Sequence, residues 1–140
     1  MSRIKTIPDV ETIREALSPL FRDEGLRLVL LFGSIATGSV HRRSDIDLAF
    51  LFDTPADVLA LTNAVVRLLG TDNIDVVDLR RASPLLKYSA ARHGKVLYEK
   101  TPGDFPVFYS LAFRMYDDTR KLREAKARSI RTFLDSRGLR

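Results

Sequence analysis

The stretch that decides the fold is Leu26-Arg27-Leu28-Val29-Leu30-Leu31-Phe32-Gly33-Ser34, followed after ten residues by Asp45-Ile46-Asp47-Leu48-Ala49-Phe50-Leu51-Phe52. Leu26 to Phe32 is a near-continuous apolar run of strand length, as a strand buried on both faces requires. Gly33-Ser34 ends it, and Ile46 to Phe52 reads as a second strand. Alternation along that strand puts Asp45 and Asp47 on one face and turns Ile46 to the other. A third strand is predicted over Ile74 to Leu79, with Asp75 near its start. If the third strand lies beside the second, about 4.8 Å away, Asp75 completes a cluster of three carboxylates.

The rest of the pattern is helical punctuation. Asp9 caps a first helix through Ile13 and Leu17, which Pro19 kinks or ends near Ser18. Ile35 to Val40 allows one or two helical turns. Thr54-Pro55 predicts a helix start, and Val58, Leu61, Val65, Leu68 and Leu69 form its stripe before Gly70 stops it. Ser83-Pro84 starts another helix, which runs to Arg92 or His93. Val96 to Tyr98 is a candidate edge strand, and Thr101-Pro102-Gly103 is a break. One long helix then runs from Asp104 to Ser136, with Phe108, Leu111, Met115, Leu122, Ala125, Ser129 and Phe133 close to one stripe; the stripe reads as core, but its length exceeds what a small domain can cover and so also suits a partner or a second copy. The order is α-β-α-β-α-β-α with a trailing helix.

The 140 residues, 45% hydrophobic and without cysteine, suit one domain. They exclude a disordered chain, a disulfide scaffold and a Cys-rich zinc module. No apolar run approaches the roughly 20 residues of a membrane span, so a soluble cytoplasmic protein without a membrane role is expected. The net charge of +5 lies wholly after residue 113, where nine basic residues face four acidic ones. That basic end suits an acidic partner surface. Direct nucleic-acid binding is not expected, because recognised RNA-binding motifs and interleaved aromatic platforms are missing.

The chemistry rests on the conjunction of Gly33-Ser34, Asp45, Asp47 and Asp75. Clustered carboxylates repel one another and call for cations among them. Hard oxygen donors suit Mg²⁺, and two ions can clamp both oxygens of a phosphoryl transfer. A glycine at a strand-to-helix turn admits a ligand to the backbone, and the following N–H groups with the serine hydroxyl can hold a phosphate. The chain has no G-x-x-x-x-G-K-[ST] loop, so this describes a nucleoside triphosphate site of another kind. Asp78 is expected on the opposite strand face from Asp75, in a structural place, and Asp53 at the far strand end is explained by turn chemistry. His41, Arg42 and Arg43 read as a solvated loop, His93 as a helix C-terminus, and Tyr88, Tyr98, Tyr109 and Tyr116 as packing residues.

The run Leu31-Phe32-Gly33-Ser34-Ile35-Ala36-Thr37-Gly38, continuing to Ser44-Asp45-Ile46-Asp47-Leu48, resembles the minimal nucleotidyltransferases (MNT) of the DNA polymerase beta superfamily. The resemblance covers about residues 26–98. It implies an α/β (α+β) fold, a small mixed sheet of three to four strands flanked by helices, with a long C-terminal helix. It implies Gly33 and Ser34 on the nucleotide, Asp45 and Asp47 on two Mg²⁺ ions, and Asp75 as third ligand and base. Every motif position is present, which implies an active site. Residues 1–100 would form the nucleotidyltransferase domain. Residues 101–140 would form a helical extension of the same compact unit and a candidate partner-binding segment.

The last third, from Gly94-Lys95-Val96-Leu97-Tyr98-Glu99 through Phe113-Arg114-Met115-Tyr116-Asp117-Asp118, is similar to the MntA-type antitoxins of HEPN/MNT toxin–antitoxin pairs. That similarity implies a protein adenylyltransferase in a hetero-oligomer. It would move AMP from ATP to a tyrosine of a HEPN ribonuclease toxin. A non-catalytic antitoxin acting by occlusion, or a nucleotidyltransferase for a small molecule, are the alternatives.

Overall fold

The computed structural model describes residues 9–33 and 46–138. Strands β1 (Leu26–Phe32), β2 (Ile46–Phe52), β3 (Ile74–Asp78) and β4 (Lys95–Glu99) form one mixed sheet in the order β3-β2-β1-β4. β1 runs antiparallel to both β2 and β4, and β2 runs parallel to β3. β3 stops one residue short of the expected Leu79, and β4 is one residue longer at each end than the expected Val96–Tyr98. β1 is a central strand, and Leu26, Leu28, Val29, Leu30 and Leu31 are fully buried. Its continuous apolar run follows from cover on both faces.

One face packs on α1 (Val10–Leu17) and α2 (Val58–Leu69), where Ile13, Leu17, Val65 and Leu69 meet Leu31, Leu48 and Phe50. The other packs on α3 (Pro84–His93) and α4 (Asp104–Ser136), where Ala90, Phe105 and Phe108 meet Leu28, Leu30 and Ala49. Asp9 caps α1 by accepting from the Thr12 N–H at 2.7 Å, and this bond holds its carboxyl below the usual range. α1 gives way at Pro19 to a 3₁₀ turn over Ser18–Arg22, as proline demands. Arg14 ties α1 to the edge strand by donating to the Leu97 and Val96 carbonyls at 3.0 and 2.9 Å.

α2 corrects the expectation from Thr54-Pro55. It begins at Val58, with the Asp57 carboxylate accepting from the Ala60 N–H. Aspartate ranks above threonine as a cap. The Asp78 carboxylate also takes the Ala56 N–H at 3.2 Å, which holds the preceding segment out of the helix. Ser83 caps α3 at the Leu86 N–H as expected. The expected turn over Ile35–Val40 lies outside the described residues.

α4 is 33 residues long, so it spans about 50 Å. The Glu99 carboxylate accepts from its Phe105 N–H at 2.7 Å and anchors its first turn. Of its stripe, Phe108 reaches the core, whereas most of the rest stays in solvent. Leu111, Leu122 and Phe133 are 52%, 71% and 52% exposed. The docked part of the helix carries Phe105, Phe108 and buried Ala112, and the helix outruns the layer it packs on. Tyr116 stacks on Tyr88 of α3 at 4.6 Å, Tyr109 meets the same ring edge-on, and Tyr98 stacks on Phe21. These tyrosines are packing residues. No helix of the described residues is long and apolar enough to cross a membrane.

Candidate functional site

The sheet register assembles the site from residues far apart in the chain. Antiparallel pairing sets Phe32 at the end of β1 opposite Asp47 on β2. Parallel pairing then sets Asp47 opposite Asp75 on β3. Gly33, Asp47 and Asp75 therefore meet at one edge of the sheet. Leu48 and Val76 belong to the α1–α2 side, whereas Phe32, Ala49 and Val77 belong to the α3–α4 side. Alternation turns both carboxylates toward the α3–α4 side. Asp47 is half-buried and Asp75 is exposed. Two carboxylates on adjacent strands offer oxygen donors that one cation can share.

Gly33 has φ +85°, a left-handed conformation that glycine adopts without strain. The space beside it is filled. A Cβ at Gly33 would overlap the Asp47 Oδ2 and lie 3.0 Å from its Cγ. On the other flank of β1, Gly94 lets α3 end against the strand. A Cβ there would overlap the Ala90 carbonyl oxygen and lie 3.3 Å from that of Leu31. The last turn of α3, with exposed Arg92 and His93, is thus brought to the end of β1.

Three of the five expected site residues, Gly33, Asp47 and Asp75, are brought together. Ser34 and Asp45 lie outside the described residues, as do His41, Arg42 and Arg43. Among the described residues no group of three or more His, Cys, Asp or Glu could hold a metal ion. The donor set nonetheless fits Mg²⁺, which binds through one or two carboxylates and fills its shell with water and phosphate oxygens.

The remaining carboxylates have other employment. Asp78 is buried, and accepts from the Ala56 and Arg80 N–H groups at 3.2 and 3.0 Å. It is the structural residue that strand parity predicts. Asp53, at the opposite end of β2, forms an ion pair with Arg27, which adds a partner to the turn chemistry expected there. The Arg27 hydrogen bond holds the Asp53 carboxyl below its usual range, and the same bond raises the Arg27 guanidinium. Neither the Asp53–Arg27 pair nor the fit between Gly33 and Asp47 is visible in sequence spacing, because both depend on register.

Comparison with known proteins bears on this geometry. The family model described as polymerase beta, nucleotidyltransferase matches residues 15–102. A protein of Aphanizomenon flos-aquae named protein adenylyltransferase MntA is 32% identical over 95% of this chain and 97% of its own length. A solved toxin–antitoxin complex with AMP-PNP contains a chain with a TM-score of 0.73 and 31% identity, covering 88% of this chain and 98% of that one. A solved complex of a tri-AMPylated Shewanella oneidensis HEPN toxin with its MNT antitoxin matches with a TM-score of 0.70 and 28% identity, over 86% of this chain and 98% of that one.

Proposed function

Because the chain belongs to the polymerase beta nucleotidyltransferase family, we propose that it is a protein adenylyltransferase that works as a cytoplasmic antitoxin. It transfers AMP from ATP to a tyrosine of a cognate HEPN ribonuclease toxin and so silences it. The relative named MntA and the complexes with AMP-PNP and with an AMPylated toxin support this reading. At residue level it is carried by one observation, the pairing of Asp47 with Asp75 beside Gly33.

In this reading Asp45, Asp47 and Asp75 hold two Mg²⁺ ions. The bound ions supply charge neutralisation and polarisation at the reacting phosphate. Gly33 and Ser34 hold the triphosphate through the backbone and hydroxyl at the turn. Asp75 accepts the proton of the tyrosine hydroxyl. The tyrosine oxygen bonds to the α-phosphorus, the bond to the bridging oxygen of the β-phosphate breaks, and pyrophosphate leaves. Asp75 is exposed on an edge strand, so a side chain carried by a folded protein can reach it.

We assign residues 101–140 to the same unit as the nucleotidyltransferase domain, a reading supported by the packing of α4 on α3 and the sheet over its first turns. We assign its exposed apolar residues and basic flanks to toxin binding. The same exposure favours a second reading, neutralisation by binding alone. Intact mass of the toxin after incubation with Mg²⁺ and ATP separates the two. A gain of one or more AMP units, absent with Asp47→Ala, is the expected result. No gain, with protection surviving removal of both Asp45 and Asp47, would overturn transfer in favour of occlusion.

A further inference from the structure

The space that a side chain at residue 33 would need is occupied by the Asp47 carboxylate. Oδ2 would overlap the Cβ, and the Asp47 Cγ and Cβ would lie 3.0 and 3.3 Å from it. The carboxylate belongs to a half-buried residue whose backbone is fixed in register between β1 and β3, so relieving the overlap means rotating the carboxylate out of the place it occupies. The positive φ of +85° is a separate requirement on the same residue. A Cβ thus meets two obstacles, and only the clash involves Asp47.

We infer that Gly33 is a positioning residue for Asp47: its missing side chain is the seat that holds the carboxylate at the metal-binding edge. The turn that receives the triphosphate and the carboxylate that receives the cation then share one packed contact. Displacing Asp47 there would weaken cation binding even with no nucleotide present. This rests on the proposed role of Asp47, and the experiment separates the two.

The first readout is thermal stability of the metal-free protein in a double-mutant cycle of Gly33→Ala and Asp47→Ala. Backbone strain at residue 33 is common to both backgrounds, whereas the clash exists only when Asp47 is present. The double variant should melt higher than Gly33→Ala alone. If Gly33→Ala does not fold, Asp47→Ala should restore folding. Additive losses, or no restoration, would overturn the inference.

The second readout is Mn²⁺ binding followed by electron paramagnetic resonance without nucleotide. Gly33→Ala should weaken it by about ten- to a hundredfold, the range seen when support for a metal ligand is lost. Unchanged Mn²⁺ binding in Gly33→Ala, with binding lost in Asp47→Ala, would leave Gly33 to the phosphates and overturn the inference alone. Unchanged binding in Asp47→Ala would instead remove Asp47 as a ligand, and the proposed catalytic site with it.

Discussion

Asp47 and Asp75 stand directly opposite each other on adjacent parallel strands, near the N-terminal ends of β2 and β3. Antiparallel strands would have brought the start of one to the end of the other. Parallel pairing instead collects two strand starts at one edge, and the antiparallel β1 delivers its C-terminal Gly33 to the same place. The arrangement puts acidic donors and a backbone turn side by side without any local sequence motif joining β3 to the rest.

Asp75→Asn should lower transfer by about a hundredfold to ten-thousandfold, the range for a lost general base. Asp75 is exposed, so stability should change by no more than about 0.5 kcal/mol. Rates of AMP transfer, measured with melting curves on the same preparations, check both parts. An unchanged rate would remove Asp75 from the reaction.

Asp78→Ala should behave oppositely. It leaves the Ala56 and Arg80 N–H groups without their acceptor and should cost about 1–3 kcal/mol. Transfer per folded molecule should persist, because Asp78 points away from the Asp47–Asp75 face. Denaturant unfolding and an active-fraction assay distinguish this from a catalytic loss.

The Asp53–Arg27 pair predicts a term in acid stability. The folded carboxyl is held below its unfolded value, so the pair contributes above the unfolded pKa of about 4 and is lost as pH falls through the folded one. Asp53→Asn should therefore flatten the fall of melting temperature below about pH 4. Melting series on both proteins across acid pH test it, and parallel curves would show that the pair contributes nothing.

Leu122→Asp with Phe133→Asp should leave the free protein's stability nearly unchanged, since both side chains are already mostly in water. Toxin binding should weaken. Titration calorimetry of the toxin against the double variant gives the answer, and undiminished affinity would relieve α4 of its assigned role.

The core of the fold was legible where short-range physics decides. The apolar run Leu26–Phe32 has only one economical place, a strand covered on both faces, and it is one of the two inner strands. Pro19 ended α1 and Ser83-Pro84 began α3 because their effects act within one helical turn. Thr54-Pro55 misled because Asp78, twenty-two residues away from Ala56, claimed the backbone N–H ahead of the helix. The length of α4 already exceeded what a small domain covers, but periodicity marks an apolar face without marking where the layer beneath it ends, just beyond Phe108 and Ala112.

The site divides the same way. Residue types and alternation along a strand by themselves put Asp47 on one face with its neighbour Ile46 turned to the other, and marked Gly33 as a turn. Which strand lies beside which, and in what direction, depends on contacts between segments distant in the chain. Only the tertiary structure set Asp75 opposite Asp47, gave Asp53 to Arg27, and placed the Asp47 carboxylate in the space where Gly33 has no side chain. Local geometry constrains a residue's own φ, ψ and facing, whereas register is decided by the packing of whole strands, which no single segment contains.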